Sequence, residues 1–213
     1  MRISELARSV GLPIATVKYY IREGLLPGGA HTARNQADYG DDHVRRLRLI
    51  RTLRGVGGLD IQRIRGVVAA IEDDGLSRHE VFGVVDRARA QDEASGSGAG
   101  VDPRAKEDID RFIERLGWKV RAEAAARDEL GQALTALRQL GREYGTDVFL
   151  PYAEAADRMA AWEIGQLPAS EPPSVAVERM VVGTVVFGAV FDALRRLAHE
   201  HHSAASEARR ASD

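Results

Sequence analysis

Apolar residues recur at three- and four-residue spacings along almost the whole chain. Ile3, Leu6, Ala7 and Val10 share one helix face, as a 3.6-residue period requires. Ile14, Val17 and Ile21 form a second inward set after Gly11 and Pro13. The glycine can take the positive φ of a turn, and the proline suits a first helical turn because its missing N–H is not needed there. Val44, Leu47, Ile50 and Leu53 predict a third helix, opened by Asp41 and Asp42 and broken by Gly55, Gly57 and Gly58; acids suit the positive end of the macrodipole. Asp60 is placed to cap a fourth, with Ile61, Ile64, Val67 or Val68, and Ile71 inward. Residues 30–39 between the second and third helices are short and polar, which suits a wing rather than a core strand.

The pattern continues beyond this head. Ser77 and Glu80 read as a capping box for a helix carrying Val81, Val84, Val85 and Ala88. That helix reaches about Glu93, where residues 94–100 turn into Ala, Ser and Gly and read as a flexible linker. Asp102-Pro103 opens a helix with Ile109, Phe112, Ile113 and Leu116 inward, ended near Gly117. Leu130, Leu134 and Leu137 mark the next, stopped between Gly141 and Gly145. Pro151 starts another, which Pro168, Pro172 and Pro173 close, and Ser174 is expected to cap a final helix to about His202. Its residues 180–191 are apolar on nearly every side, too few to span a bilayer and therefore expected to be buried, at the centre of a helical bundle or partly in a subunit interface. Gly183 and Gly188 within it suggest close helix approach or room for a ligand.

The first two helices and their glycine turn make a helix-turn-helix, whose second helix enters the major groove. Thr16, Lys18 and Tyr19 lie on its other faces. The run Thr16 to Tyr20, then Glu23-Gly24-Leu25-Leu26-Pro27, then Tyr39 to Leu47, resembles the N-terminal domain of the MerR family of bacterial transcription regulators. The resemblance covers about the first third of the chain. It implies a winged helix-turn-helix, a homodimer, double-stranded DNA and RNA polymerase at a promoter as partners, and a separate C-terminal part that senses a signal. Activators of that family sit on promoters with an overlong spacer and untwist the DNA. Two positions depart from its pattern: Lys18 stands where an arginine is usual, and the wing reads Arg34-Asn35-Gln36-Ala37-Asp38-Tyr39 where Gly-Tyr-Arg is common. The helix from Ser77 is also short for holding a dimer alone.

Charge sharpens this picture. Residues 1–70 carry twelve Lys or Arg against six Asp or Glu, a net +6, while the remainder carries eighteen against twenty-six, a net −8. A basic head on an acidic body is the footprint of a DNA-binding domain attached to one that does not bind DNA. Arg45, Arg46, Arg48, Arg51 and Arg54 crowd one helix and are expected to place some cations over phosphates, a solvated face being the other reading. Expected DNA contacts are Thr16, Lys18, Tyr19, Arg34, Asn35, Tyr39 and Arg46, with Arg34 and Asn35 reaching phosphate or the minor groove unless the wing is a plain solvated loop.

Chemistry elsewhere is sparse. The chain has no cysteine, which removes disulfides, thiolate metal sites and thiol redox sensing. His199 and His202 share a helix face, but no companion ligands accompany them, so no metal is expected and a polar helix end is the simpler reading. No nucleotide-binding glycine motif, serine elbow or HExxH is present, so no enzyme activity and no cofactor are expected. Trp118, Tyr152, Trp162 and Phe187 are candidates to line a pocket for a small organic effector, against the plainer reading that they fill a core.

The fold expected is mainly α, with a winged helix-turn-helix head and an all-α C-terminal helical domain. The divisions are 1–74 for the head, 75–93 for a connecting and dimerising helix, 94–101 for a linker, 102–205 for the effector and dimerisation domain, and 206–213 for a tail. A cytoplasmic regulator on a palindromic operator is the reading; an architectural DNA-binding protein without a ligand, or an enzyme with a DNA-binding head, are its rivals.

Overall fold

The computed structural model describes residues 1–33, 36–90, 101–141, 144–166 and 173–210. Arg34, Asn35, residues 94–100 of the expected linker, and Pro168 and Pro172 lie outside them. The protein is mainly α, with a winged helix-turn-helix head and further helices after it. Its chain groups into two compact units, one made of Met1–Val68 with the chain from Glu178 onward, the other of Ala69–Val177.

In the first unit, α1 (Ile3–Ser9) and α2 (Ile14–Arg22) flank Gly11, whose φ of 65° is the left-handed turn that only glycine adopts without a Cβ penalty. Leu6, Ala7 and Val10 are buried as their spacing predicts. The inward face of α2 differs from expectation at one end. Ile14 is 42% exposed, and Tyr20 joins Val17 in the core. Ile14 is the first helical residue, and helical side chains lean back toward the N-terminus. It therefore points off the packed surface, while Tyr20, one turn after Thr16, is buried.

A hairpin of β1 (Ala30–Ala33) and β2 (Gln36–Asp38) follows, antiparallel, with Ala30 opposite Asp38 and an irregularity between His31 and Ala33. Gly29 is needed for close approach rather than for its φ, since a Cβ there would lie 2.6 Å from the Asp38 carbonyl oxygen. The Tyr39 N–H donates to the Met1 carbonyl at 2.9 Å, and the Met1 amine donates to the Tyr39 carbonyl at 2.8 Å, which ties the hairpin base to the chain start. Next, α3 (Asp41–Gly55) buries Leu47, Leu49, Ile50 and Leu53. Then α4 (Ile61–Glu72) begins where Asp60 Oδ1 accepts from the Arg63 N–H at 2.9 Å, the predicted cap.

In the second unit, α5 (Arg78–Ala90) opens with the predicted capping box. Ser77 N–H and Oγ–H both donate to Glu80 Oε2 at 2.7 Å, and the Glu80 N–H returns to Ser77 Oγ at 3.3 Å. Those bonds hold the Glu80 carboxyl below its ordinary pKa. The unit continues with α6 (Pro103–Leu116), α7 (Ala125–Gln139), a 3-10 turn (Thr146–Phe149) and α8 (Leu150–Gly165). Ala105, Ile109, Ile113 and Leu134 form its core, with Trp118, Leu130, Tyr144 and Phe149 packed against them. Asp86 of α5 accepts from the Ala125 N–H at 3.0 Å and so satisfies an orphan donor at the start of α7.

Arg127 staples the α6–α7 turn. Its guanidinium donates to Asp110 at 2.6 Å and to the carbonyls of Arg121 and Val120 at 2.9 and 3.0 Å. Because this side chain is mostly buried, Arg127→Ala is expected to cost about 2 kcal/mol of stability, the range for hydrogen bonds to charged groups. Urea unfolding followed by tryptophan emission checks this; an unchanged midpoint would make the staple decorative.

The last helix, α9 (Pro173–Arg210), is the longest at 38 residues. It starts at Pro173 and runs past His202. Met180, Val181 and Val185 are buried, and Gly57 makes room for them, since a Cβ at Gly57 would lie 2.8 Å from Val185 Cγ1. Only that one face is buried, and Phe187, Val190 and Phe191 are 39%, 45% and 39% exposed. All-round apolarity told that the segment avoids water, but one flank lies open. Among the described residues, no helix is long and apolar enough to cross a membrane, and no group of three His, Asp or Glu is placed to hold a metal.

Candidate nucleic-acid interface

Burying Val17 and Tyr20 turns the opposite face of α2 outward, and Lys18 and Arg22, four residues apart, both lie on it. Tyr19 sits between them, half-buried. Its ring is held on two sides, tilted against Tyr20 at 5.8 Å and under the Arg22 guanidinium at 5.3 Å from the centroid. A ring held this way loses little entropy on meeting a ligand. Thr16 is half-buried at the flank, and Ile14 and Ala15 are exposed at the leading end. Such a face offers cations for phosphate, a hydroxyl and phenol for base edges, and an apolar surface for a thymine methyl.

Two arginines, both still open to solvent, bond to the backbone at the two ends of this helix. Arg51 Nη1 of α3 donates to the Val10 carbonyl at 2.8 Å, across the turn between α1 and α2. Arg65 Nη2 of α4 donates to the Glu23 carbonyl at 2.7 Å and to its carboxylate at 3.3 Å, at the far end of α2. The five arginines of α3 thus divide. All but Arg46 are exposed, Arg51 bonds the Val10 carbonyl, and Arg45 and Arg46 meet an acid.

That acid is Glu178 at the start of the α9 segment in this unit. Its carboxylate lies 3.3 Å from Arg45 Nε, and Arg45 also pairs with Asp42 at 3.3 Å. Burial pushes the Glu178 carboxyl above its ordinary range, with Arg45 and Arg46 pulling partly back. Burial likewise lowers Arg46, which Glu178 opposes. Glu178 therefore occupies cations that a phosphate could otherwise use. Glu178→Gln is expected to raise DNA affinity about three- to tenfold and to steepen its salt dependence, since each freed cation adds close to one unit of log–log slope. The pH sign follows from the raised pKa. The folded chain favours the protonated carboxyl, so stability is full at low pH and is lost as pH rises through the raised value, above 4.5. Chemical denaturation across that window should show a slope in the native chain that Glu178→Gln removes; equal slopes and equal DNA affinity would dismiss the pairing.

The remaining expected contacts scatter. Tyr39 is only 8% exposed and sets its ring edge-on to His43 at 5.1 Å. Its ring serves the hairpin base and does not face outward. Arg34 and Asn35 lie outside the described residues. Sequence reasoning passed over Arg22 and Glu178. Arg22 was detectable as a cation one turn after Lys18, whereas Glu178 is far away in sequence and gave no signal. The four effector candidates are not assembled within one unit. Trp118 packs on the α6–α7 core, Tyr152 and Trp162 of α8 are 54% and 52% exposed, and Phe187 belongs to the other unit.

A helix-turn-helix with a basic outer face, followed by a two-stranded wing, defines the DNA-binding head of a transcription regulator. Residues 1–71 match the profile of the MerR HTH family regulatory proteins, so the head is a MerR-type helix-turn-helix domain. The chain is similar over nearly its whole length to the crystal structure of SCO5550 from Streptomyces coelicolor A3(2), described as a candidate transcriptional regulator. The two share 31% identity over 96% of each chain, with a TM-score of 0.70. Among curated relatives, it is 26% identical over 87 residues to the HTH-type transcriptional regulator ZntR homolog of Haemophilus influenzae. It is 30% identical over 84 residues to the HTH-type transcriptional regulator HmrR of Sinorhizobium medicae. Those stretches are 41% and 39% of this chain, and the chain spans only 64% and 56% of the two relatives.

Proposed function

We propose that the protein works as a homodimer on a palindromic operator, acting on RNA polymerase at a promoter, with its C-terminal helical region answering a small organic effector. The observation that carries the DNA part is the exposed face of α2, where Lys18 and Arg22 flank a ring held in place. Thr16, Lys18 and Tyr19 would meet base edges and phosphates, Arg34 and Asn35 the backbone or minor groove, and Arg46 a phosphate once Glu178 releases it. One such head reads one half-site, and two copies related by a twofold axis read a palindrome. Untwisting a promoter spacer costs on the order of several kcal/mol, which contacts on both half-sites offset.

Footprinting the purified protein on the DNA upstream of its own gene, with and without cell extract, tests the reading. Two symmetric protected half-sites, about 10 bp apart or a multiple of that, are expected. Uniform, sequence-indifferent protection would favour an architectural protein instead.

An organic effector is favoured because the chain has no cysteine, the ligand soft metals prefer. Trp118 and Trp162 are the only tryptophans, and both belong to the second unit. Effector binding is therefore expected to change the tryptophan emission of the full chain and to alter promoter output in vitro. Compounds that bind without changing either readout would count against a sensing role.

A further inference from the structure

The first turn of α2 sets a large apolar side chain outside. Ile14 is 42% exposed, and Ala15 beside it is exposed as well. Lys18 and Arg22, the exposed cations of the same helix, follow Ile14 at steps of four residues. At 3.6 residues per turn, Ile14, Ala15, Lys18 and Arg22 fall within an arc of about 100°. Ile14 therefore shares a face with the two cations and leads it. That first turn is held from behind. The Thr16 and Val17 N–H groups donate to the Pro13 carbonyl at 3.0 and 3.2 Å, and the Val17 side chain is fully buried. The branch at Cβ leaves Ile14 few rotamers, so it presents a fixed apolar surface.

Charge says what this face meets. From Ile14 to Arg22 the helix carries Lys18 and Arg22 and no Asp or Glu, which suits a polyanion. The helix-turn-helix match of residues 1–71 makes that polyanion duplex DNA. Between Ile14 and Arg22 the helix rises about 12 Å, close to the width of the major groove. A recognition helix enters that groove with its N-terminal residues on the base edges. Ile14 would then lie against bases, with Arg22 nearer the backbone. The Ile14 side chain has neither donor nor acceptor, and the one apolar group that base edges display in this groove is the thymine C5-methyl. Covering any other edge would strip water from a donor or acceptor and return no hydrogen bond. Covering a methyl removes apolar surface from water on both sides.

We propose that Ile14 is a specificity-determining residue, which selects thymine at one operator position by packing on its C5-methyl group. The proposal rests on the DNA reading above and names a residue that chooses a base without a hydrogen bond.

Removing the methyl alone tests this. Anisotropy titrations of the full chain are run on the footprinted operator and on duplexes in which deoxyuridine replaces one thymine at a time. At one position the replacement is expected to lower wild-type affinity about three- to tenfold, the scale of burying one or two methyl-sized groups. Ile14→Ala is expected to lose a similar factor on the thymine operator and nothing further from deoxyuridine at that position. Its thermal midpoint should match the wild type because the residue is exposed. Ile14→Val, which keeps the branch at Cβ, should retain most of the thymine preference. Deoxyuridine that changes nothing at any position, or that costs Ile14→Ala as much as the wild type, overturns the proposal and leaves the DNA reading standing. An operator bound no more tightly than a scrambled duplex overturns that reading, and this proposal with it.

Discussion

Replacing Lys18 and Arg22 together with alanine is expected to weaken operator binding about 100-fold at physiological salt, with no more than a few tenths of a kcal/mol lost in stability. Both lie on the outward face of α2. If one reads a base edge bidentately, about 1–3 kcal/mol disappears with it, and a cation over phosphate removes close to one unit of salt slope. Arg22 does additional work by covering the Tyr19 ring at 5.3 Å, so its loss frees that ring as well. The single variants should separate the roles: Lys18→Ala relaxing sequence preference marks a base contact, and a uniform loss across sequences marks a phosphate contact. Electrophoretic mobility or anisotropy titrations at several salt concentrations provide the measurement. Undiminished affinity in the double variant would remove α2 from the interface and with it the proposed operator contacts.

Val185→Asp is expected to be the most disruptive change in α9. Val185 is 2% exposed and its Cγ1 lies 2.8 Å from where a Cβ on Gly57 would be, so no space exists for water to follow a carboxylate. Burying an unpaired charge costs several kcal/mol, more than the packing of this short segment supplies, and the helix is expected to lift away around Glu178–Val185. The α1–α3 core, with Leu6, Val17, Leu47, Ile50 and Leu53 essentially inaccessible, should survive. Hydrogen exchange is therefore expected to lose protection in residues 178–186 while α2 and α3 keep theirs. Operator affinity should rise as in Glu178→Gln, because lifting the helix also withdraws Glu178 from Arg45. Protection retained across α9 would mean that its packing against Gly57 is not what holds it.

Most of the local structure was legible because it depends on neighbours in the chain. The glycine turn at Gly11, the Asp60 cap, the Ser77–Glu80 box and the Asp102-Pro103 start all appear where short-range rules place them. Each involves residues within a few positions of one another. The helix-turn-helix was legible for the same reason, through its order of motifs, and so was the basic character of the head.

What the sequence determined by itself was the list of helices, the winged helix-turn-helix and a chain without thiol chemistry. The tertiary structure alone decided which side of each helix meets a neighbour. It chose Tyr20 over Ile14, turned the Tyr39 ring inward, set Glu178 against Arg45 and left one flank of residues 187–197 open. The physical reason is that periodicity reports which residues avoid water, whereas burial depends on elements that arrive from 100 or more residues away. Long-range pairs of that kind carry no spacing signal, and only the folded chain brings them together.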